Sequence, residues 1–264
     1  MHNLCSSQLN KGIARQCVAY HIYGAAQFQA ALFHQKSNTF VAFFFSPKSF
    51  QSLDDEEKSS IPWLTWELRQ THHLIQSNGF VLVPSLVFSP EHIETYASQA
   101  GLGEGKPTFD QLNHSECFVV FNEQEETVSS PTHFQSRLAD YLGRYVSPRC
   151  REFIYFHIQH ENLLIGSFSK EKLLFFNEFK VHSKEDVLYF LACAARVLKK
   201  NLSEANVFFS GKIAEKSPFQ ELLNRHIGEI EPIWLDEGIR FDRAINPYHQ
   251  LIYRDVFTLP LCGL

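Results

Sequence analysis

Residues 151–211 read REFIYFHIQHENLLIGSFSKEKLLFFNEFKVHSKEDVLYFLACAARVLKKNLSEANVFFSG. Three apolar runs follow one another closely: Phe153–Ile158, Leu163–Phe168 and Leu173–Phe179. Each has the length and the Phe/Ile/Leu content of a strand, and short polar turns separate them. Ile154, Phe156 and Ile158 share one face of the first, because side chains alternate along a strand. The period then changes. Ser183 and Asp186 have the spacing of a capping box. Val187, Phe190, Leu191, Ala194 and Leu198 recur at helical intervals, and Lys199-Lys200 suits the negative end of the helix dipole. Val207–Phe209 is a short buried strand that ends in Ser210-Gly211. Ser217-Pro218 opens another helix, with Phe219, Leu222, Leu223 and Ile227 on its apolar side and Gly228 at its C-terminal cap. The pattern predicts an α/β protein with mixed sheets.

The first half repeats this plan. Cys17–Ile22 and Gln27–Phe33 read as hairpin arms with Gly24 between them, and Phe40–Phe45 as a third strand stopped by Ser46-Pro47. Asp54–Glu57 is an acidic run suited to a solvated loop or a helix start. A helix is predicted from Ser59-Ser60-Ile61-Pro62 to Gln76, with Leu64, Leu68, Leu74 and Ile75 as its stripe. Asn78-Gly79 is a turn and Phe80–Val83 a strand. Ser89-Pro90-Glu91 opens a helix to Ala100. Cys117–Phe121 is a strand, and Ser130-Pro131 opens a helix through Leu142 that ends at Gly143. Val81–Ser85 ahead of Ser89-Pro90 matches Val207–Gly211 ahead of Ser217-Pro218. The shared order predicts a duplicated, two-lobed chain. Residues 1–14 form a frayed lead-in, 15–148 the first lobe and 149–264 the second.

Bulk properties exclude several function classes. The 264 residues carry a net charge of −5, which indicates no nucleic-acid surface. No uncharged apolar run reaches the roughly 20 residues of a membrane-spanning helix. Met1–Lys11 has no apolar core of a signal peptide, and six scattered cysteines without a Cys-x-x-Cys pair suit reduced thiols in a cytoplasmic protein. The 25 phenylalanines read as core and sheet filling.

Motifs for chemistry are weak. Gly101–Thr108 fails as a phosphate loop: the spacing is wrong, Pro107 stands where a magnesium-binding hydroxyl belongs, and the run follows a helix. His157 and His160 have a zinc-like spacing at a strand end, where side chains three apart diverge. His72-His73 adjoin on a predicted helix and share no face. Cys150, between Arg149 and Arg151, suggests a lowered thiol pKa or, more simply, a semi-buried thiol at a lobe boundary. No catalytic residues and no metal ligands are assigned.

Phe80-Val81-Leu82-Val83-Pro84 with Phe88-Ser89-Pro90-Glu91-His92, Leu173–Phe179, Val207–Gly211 and the close from Asn246-Pro247-Tyr248-His249 to Leu261-Cys262 carry a resemblance. From about Arg15 to Leu264 the chain resembles bacterial proteins grouped as domain of unknown function 3822. The plan is similar to that of the superfamily of actin, sugar kinases and heat-shock chaperone ATPases. The resemblance implies a duplicated actin-like ATPase (ribonuclease H-like) fold of two lobes, with ATP and magnesium as the possible cofactors and no established activity.

That superfamily places an acid in each lobe's hairpin and glycines in both turns. Here Gly24 is present, but His21 or Tyr23 stands where an acid is expected. Gln159 is neutral in the second hairpin, and Ser210-Gly211 offers one glycine on the adenine side. Gly24, Gln159, Ser210 and Gly211 are the candidate residues of an inter-lobe cleft. The expectation is a non-catalytic binding or scaffolding module, with a protein partner or a second copy and with the Leu259–Leu264 tail as one contact. The alternative is an atypical ATPase or small-molecule kinase with relocated acids, Glu161, Glu178 or Asp186.

Overall fold

The computed structural model describes residues 1–123, 132–170, 172–213, 217–228, 230–233, 235, 238–262 and 264. Residues 1–14 are ordered rather than frayed. Strand β1 (His2–Cys5) pairs antiparallel with Ala42–Phe45, and helix α1 (Lys11–Ala14) is capped by Asn10. Edge pairing, which local composition does not reveal, satisfies the backbone of this polar segment.

Strands β2 (Cys17–Gly24), β3 (Gln27–His34) and β4 (Thr39–Ser46) form the expected antiparallel meander. The acidic run caps and begins α2 (Asp55–Ser59): Asp54 and Glu57 exchange side-chain-to-amide bonds. The helix expected through Gln76 does not form. Pro62–Thr65 makes one 3₁₀ turn, and β5 (Gln70–Gln76) runs parallel to β2. Leu74 and Ile75 enter two different core clusters, as successive residues of a strand buried on both faces do. Leu68 and Leu74 stand six positions apart, a gap that breaks the helical stripe. His72 and His73 accordingly face opposite ways, towards Tyr20 and Tyr23.

Residues 80–123 build a separate three-stranded sheet in the order β6-β8-β7, from β6 (Phe80–Pro84), α3 (Ile93–Gln99), β7 (Lys106–Gln111) and β8 (Cys117–Glu123). The connection expected over 101–108 is shorter, because Lys106 already lies in β7. Next come β9 (Thr132–His133) and α4 (Phe134–Tyr141). Ser130-Pro131, the expected start of that helix, lies outside the described residues. The helix does not stop at Gly143 but passes into a π-helical turn, Leu142–Val146.

The second half matches its reading closely: β10 (Glu152–Gln159), β11 (Asn162–Ser169), β12 (Lys172–Lys180), α5 (Lys184–Val197), β13 (Asn206–Gly211), α6 (Pro218–Ile227) and β14 (Ile230–Pro232). Ser183 and Asp186 do form a capping box. The sheet order is β12-β11-β10-β13-β14, with β13 and β14 added in parallel. Apart from β1 at its edge, the first sheet has the same order, β4-β3-β2-β5-β9. The counterpart of β13 is therefore β5, not the expected Val81–Ser85, which belongs to a sheet inserted between β5 and β9.

The C-terminal segment returns to the first sheet. Strand β15 (Arg240–Phe241) pairs with β4, and α7 (Pro247–Ile252) and α8 (Arg254–Phe257) set Tyr253 and Phe257 against Phe43. Leu259 and Cys262 are buried, so much of the tail expected at an interface is used internally. Phe28, Phe40, Phe43, Phe44, Phe121, Phe134, Phe153, Phe156 and Phe168 are fully buried, each contributing about 1.5–3 kcal/mol of burial free energy. Among the described residues, no helix is long and apolar enough to cross a membrane.

Candidate functional site

The C-terminal ends of β2, β5 and β10 converge, and a cleft of about 510 Å³ opens above them. The β2–β3 turn (Gly24 to Gln27) forms one wall and the β10–β11 turn (Gln159 to Asn162) the other; Gln76 and Lys180 also line it. Hairpins expose their turn backbones, and parallel strands end together, so both loops meet over the strand termini. Gln27 Nε2 donates to Gln76 Oε1 at 2.5 Å and to Gln159 Oε1 at 3.2 Å. Gln76 Nε2 lies 3.4 Å from the same Gln159 oxygen. A three-amide bridge thus ties the first sheet to the second across the cleft floor.

Of the four candidates, Gly24 and Gln159 line this cleft and Ser210 and Gly211 do not. Ser210 is fully buried. Its Oγ lies 2.6 Å from the Tyr155 hydroxyl and 2.8 Å from His157 Nδ1. His157 Nε2 in turn faces Asp255 Oδ2 at 3.5 Å. The Ser–His–Asp line resembles a nucleophile relay, but with Ser210 at 0%, His157 at 6% and Asp255 at 2% exposure no substrate reaches it. It joins β10 and β13 to α8. Gly211 meets the backbone of Ile158.

The histidines and the thiol singled out by spacing or neighbours fall into plain structural settings. His21 and Tyr23 lie beside Phe28 and His73, within and against the outer core, while Ile22 packs into the opposite core cluster and Gly24 lines the cleft. Burial pushes the His21 imidazole down to about 3. His157 is buried while His160 is exposed, so the pair diverges. Burial raises the Cys150 thiol, the reverse of activation. Among the described residues, no group of three or more His, Cys, Asp or Glu is placed to hold a metal ion.

The three relocated-acid candidates separate clearly. Glu161 lines the cleft from an exposed turn. Asp186 is occupied as a cap: its Oδ2 accepts from the His182 and Ser183 amides at 2.8 and 3.0 Å, which hold its carboxyl low. Glu178 lies beneath the glutamines, in an enclosed space of about 10 Å³ shared with Gln135, His157 and Asp255, room for about one water. Gln135 Nε2 donates to it at 3.1 Å, but desolvation dominates and lifts its carboxyl to about 7.

A testable pH dependence follows for Glu178. Its folded pKa lies above the ordinary value of 4.5, so the folded chain holds this proton more tightly than the unfolded chain. Stability from this group is full below pH 4.5 and falls as pH rises through 7. Glu178→Gln is expected to raise the urea midpoint at pH 8 by the equivalent of about 1–3 kcal/mol, with no gain at pH 4. A gain independent of pH contradicts the assignment.

Neither Gln27 nor Gln76 stands out in the sequence as a site residue. The signal for Gln76 lay in Leu74-Ile75-Gln76, adjacent apolar residues ending in a polar one at the C-terminus of a parallel strand.

Two matched sheets of three antiparallel and two parallel strands, facing each other across a cleft at their strand ends, define the actin-like ATPase fold. Residues 22–230 match the family described as "Protein of unknown function (DUF3822)", and the chain belongs to that family. It is similar to a protein of Bacteroides thetaiotaomicron with an actin-like ATPase fold and unknown function, at 15% identity and a TM-score of 0.71 over 96% of this chain and 99% of that one. It also resembles a chain of the PilM–PilN type IV pilus biogenesis complex, at 14% identity and a TM-score of 0.53, covering 94% of this chain and 97% of that one. Among curated proteins, none matches.

Proposed function

We propose that this chain is a non-catalytic binding or scaffolding module, a pseudo-ATPase in which the actin-like frame outlasts the hydrolytic site. It works as two lobes divided near residue 148, in the cytoplasm, through a protein partner. The observation that carries the reading is the cleft floor. Magnesium is a hard ion that takes oxygen ligands, chiefly carboxylates and phosphates, and phosphoryl transfer depends on it. The strand ends supply Gln27, Gln76 and Gln159, three neutral amides already bonded to one another. Among the described residues that line the cleft, Glu161 is the lone carboxylate, and it stands on an exposed turn. This set does not fit a magnesium–nucleotide. Similarity to a chain of a two-protein pilus complex supports the partner reading.

Thermal unfolding with saturating ATP, in magnesium and in EDTA, tests this. A ligand at 100 times its Kd adds about 2.7 kcal/mol of stability, several degrees in Tm. The two Tm values are expected to coincide. A rise of several degrees that requires magnesium contradicts the proposal and favours the enzyme reading, with Glu161 as the acid.

A further inference from the structure

The inserted sheet presents a surface that the cleft does not explain. Eight large apolar side chains stand exposed among the described residues, and three belong to the insert: Leu86 at 97%, Val87 at 63% and Phe109 at 42%. Leu86 and Val87 form the tip that follows β6. This tip is not frayed. The Val87 and Phe88 amides both donate to the Pro84 carbonyl, at 3.0 and 3.1 Å. Tyr96 of α3 donates its hydroxyl to Val87 O at 2.8 Å and accepts from the Ser89 amide at 3.2 Å. Behind the tip, Phe88 stacks on Phe118 with ring centroids 3.9 Å apart, and Phe109 packs against both. A rigid mount thus holds two aliphatic side chains in water beside an aromatic platform. Folding gains nothing from that arrangement, whereas a binding surface uses it: pre-ordered apolar groups lose little entropy on association.

Charge narrows the occupant. Residues 80–123 contain six acids, Glu91, Glu94, Glu104, Asp110, Glu116 and Glu123, and one base, Lys106. Their net charge of −5 equals that of the whole chain. Asp110 is paired with Arg137. Glu116 sits at the tip, where its carbonyl accepts from the Ser85 amide at 2.9 Å, and Glu91 and Glu94 open the helical segment that leads into Tyr96. A second copy offering the same face would bring this acidic rim against itself. An anionic membrane surface would be repelled for the same reason.

We infer that the tip and aromatic platform of the insert dock a protein segment that is apolar on one side and rich in Lys or Arg on the other. This inference rests on the reading of the chain as a binding module, and it is independent of the nucleotide chemistry of the cleft.

The test is fluorescence anisotropy of the full chain with a labelled amphipathic Leu–Lys peptide and with its Leu–Glu counterpart. Leu86→Ser/Val87→Ser is expected to weaken the Leu–Lys peptide at least tenfold, and Glu91→Lys/Glu116→Lys to do the same. All four positions are exposed, so Tm should be unchanged, and the Leu–Glu peptide should not bind. Equal binding of both peptides, or binding unaffected by the tip variant, overturns the inference. So does a dimer in light scattering that the tip variant disperses, which makes a second copy the occupant, or tip-dependent binding to phosphatidylserine vesicles. The ATP result in magnesium and EDTA stands whichever way this one falls.

Discussion

Gly211→Ala is expected to destabilise the fold by about 4 kcal/mol or more, a loss that single substitutions rarely reach. Gly211 adopts φ +98°, and a Cβ built on it would lie 2.2 Å from the carbonyl oxygen of Ile158 and 2.8 Å from its nitrogen. Both clashing atoms are backbone of the paired strand, and the Lys212 amide donates to that same oxygen at 2.9 Å. Relief requires β13 to peel from β10 where the Tyr155–Ser210–His157 line crosses between them. A domain holds only about 5–15 kcal/mol in total, so the variant should be largely aggregated or carry a far lower urea midpoint. Gly24→Ala is the control. There the nearest atoms are the Gln27 Cγ at 3.1 Å and the Gln27 carbonyl oxygen at 3.3 Å, contacts that a shift of a few tenths of an ångström relieves, so the loss should be far smaller. Equal stability of Gly211→Ala and the wild type would refute the strand geometry at this end of the second sheet.

Arg137→Met is the second large effect. The guanidinium bonds Asp110 Oδ2 at 2.8 Å, Asp140 Oδ2 at 3.0 Å and the Gln111 carbonyl at 3.1 Å. Its side chain is 7% exposed, and that of Asp140 is 2% exposed. Asp140 also accepts from the Asn113 and His114 amides, so this group fastens the β7–β8 hairpin to α4. Methionine keeps the volume and removes the charge, which leaves two desolvated carboxylates unpaired. Breaking a buried ion pair in this way costs about 3–5 kcal/mol. Burial already pushes both aspartates up, against the pull of Arg137. The deficit should therefore shrink as pH falls from 8 to 5 and the freed carboxylates take up protons. Urea unfolding at both pH values measures this; a deficit of the same size at each contradicts it.

The sequence reveals the fold unevenly, for physical reasons. In the second half, apolar alternation, a capping box and a long amphipathic helix all point the same way, and strands 152–180 lie where periodicity puts them. In the first half, β5 is short, parallel and rich in His and Gln, so its hydrophobic signal merges into a false helical stripe. The apparent match between the halves therefore falls one strand out of place, and Gln76 hides inside the stripe. Gly24 and Gln159 were readable as cleft residues because hairpin turns announce themselves. Ser210 and Gly211 were not, because a glycine that admits a ligand and one that admits a neighbouring strand look alike in one dimension. The Asp255–His157 contact joins residues far apart in the chain, and no local pattern encodes it.

Phosphate release from ATP by the purified chain, with magnesium and in parallel with Gln159→Ala, tests the central claim most directly. The expected result is release no faster than in buffer for both proteins. Magnesium-dependent release by the wild type that Gln159→Ala abolishes would show the three-glutamine floor to be a working catalytic site and contradict the account.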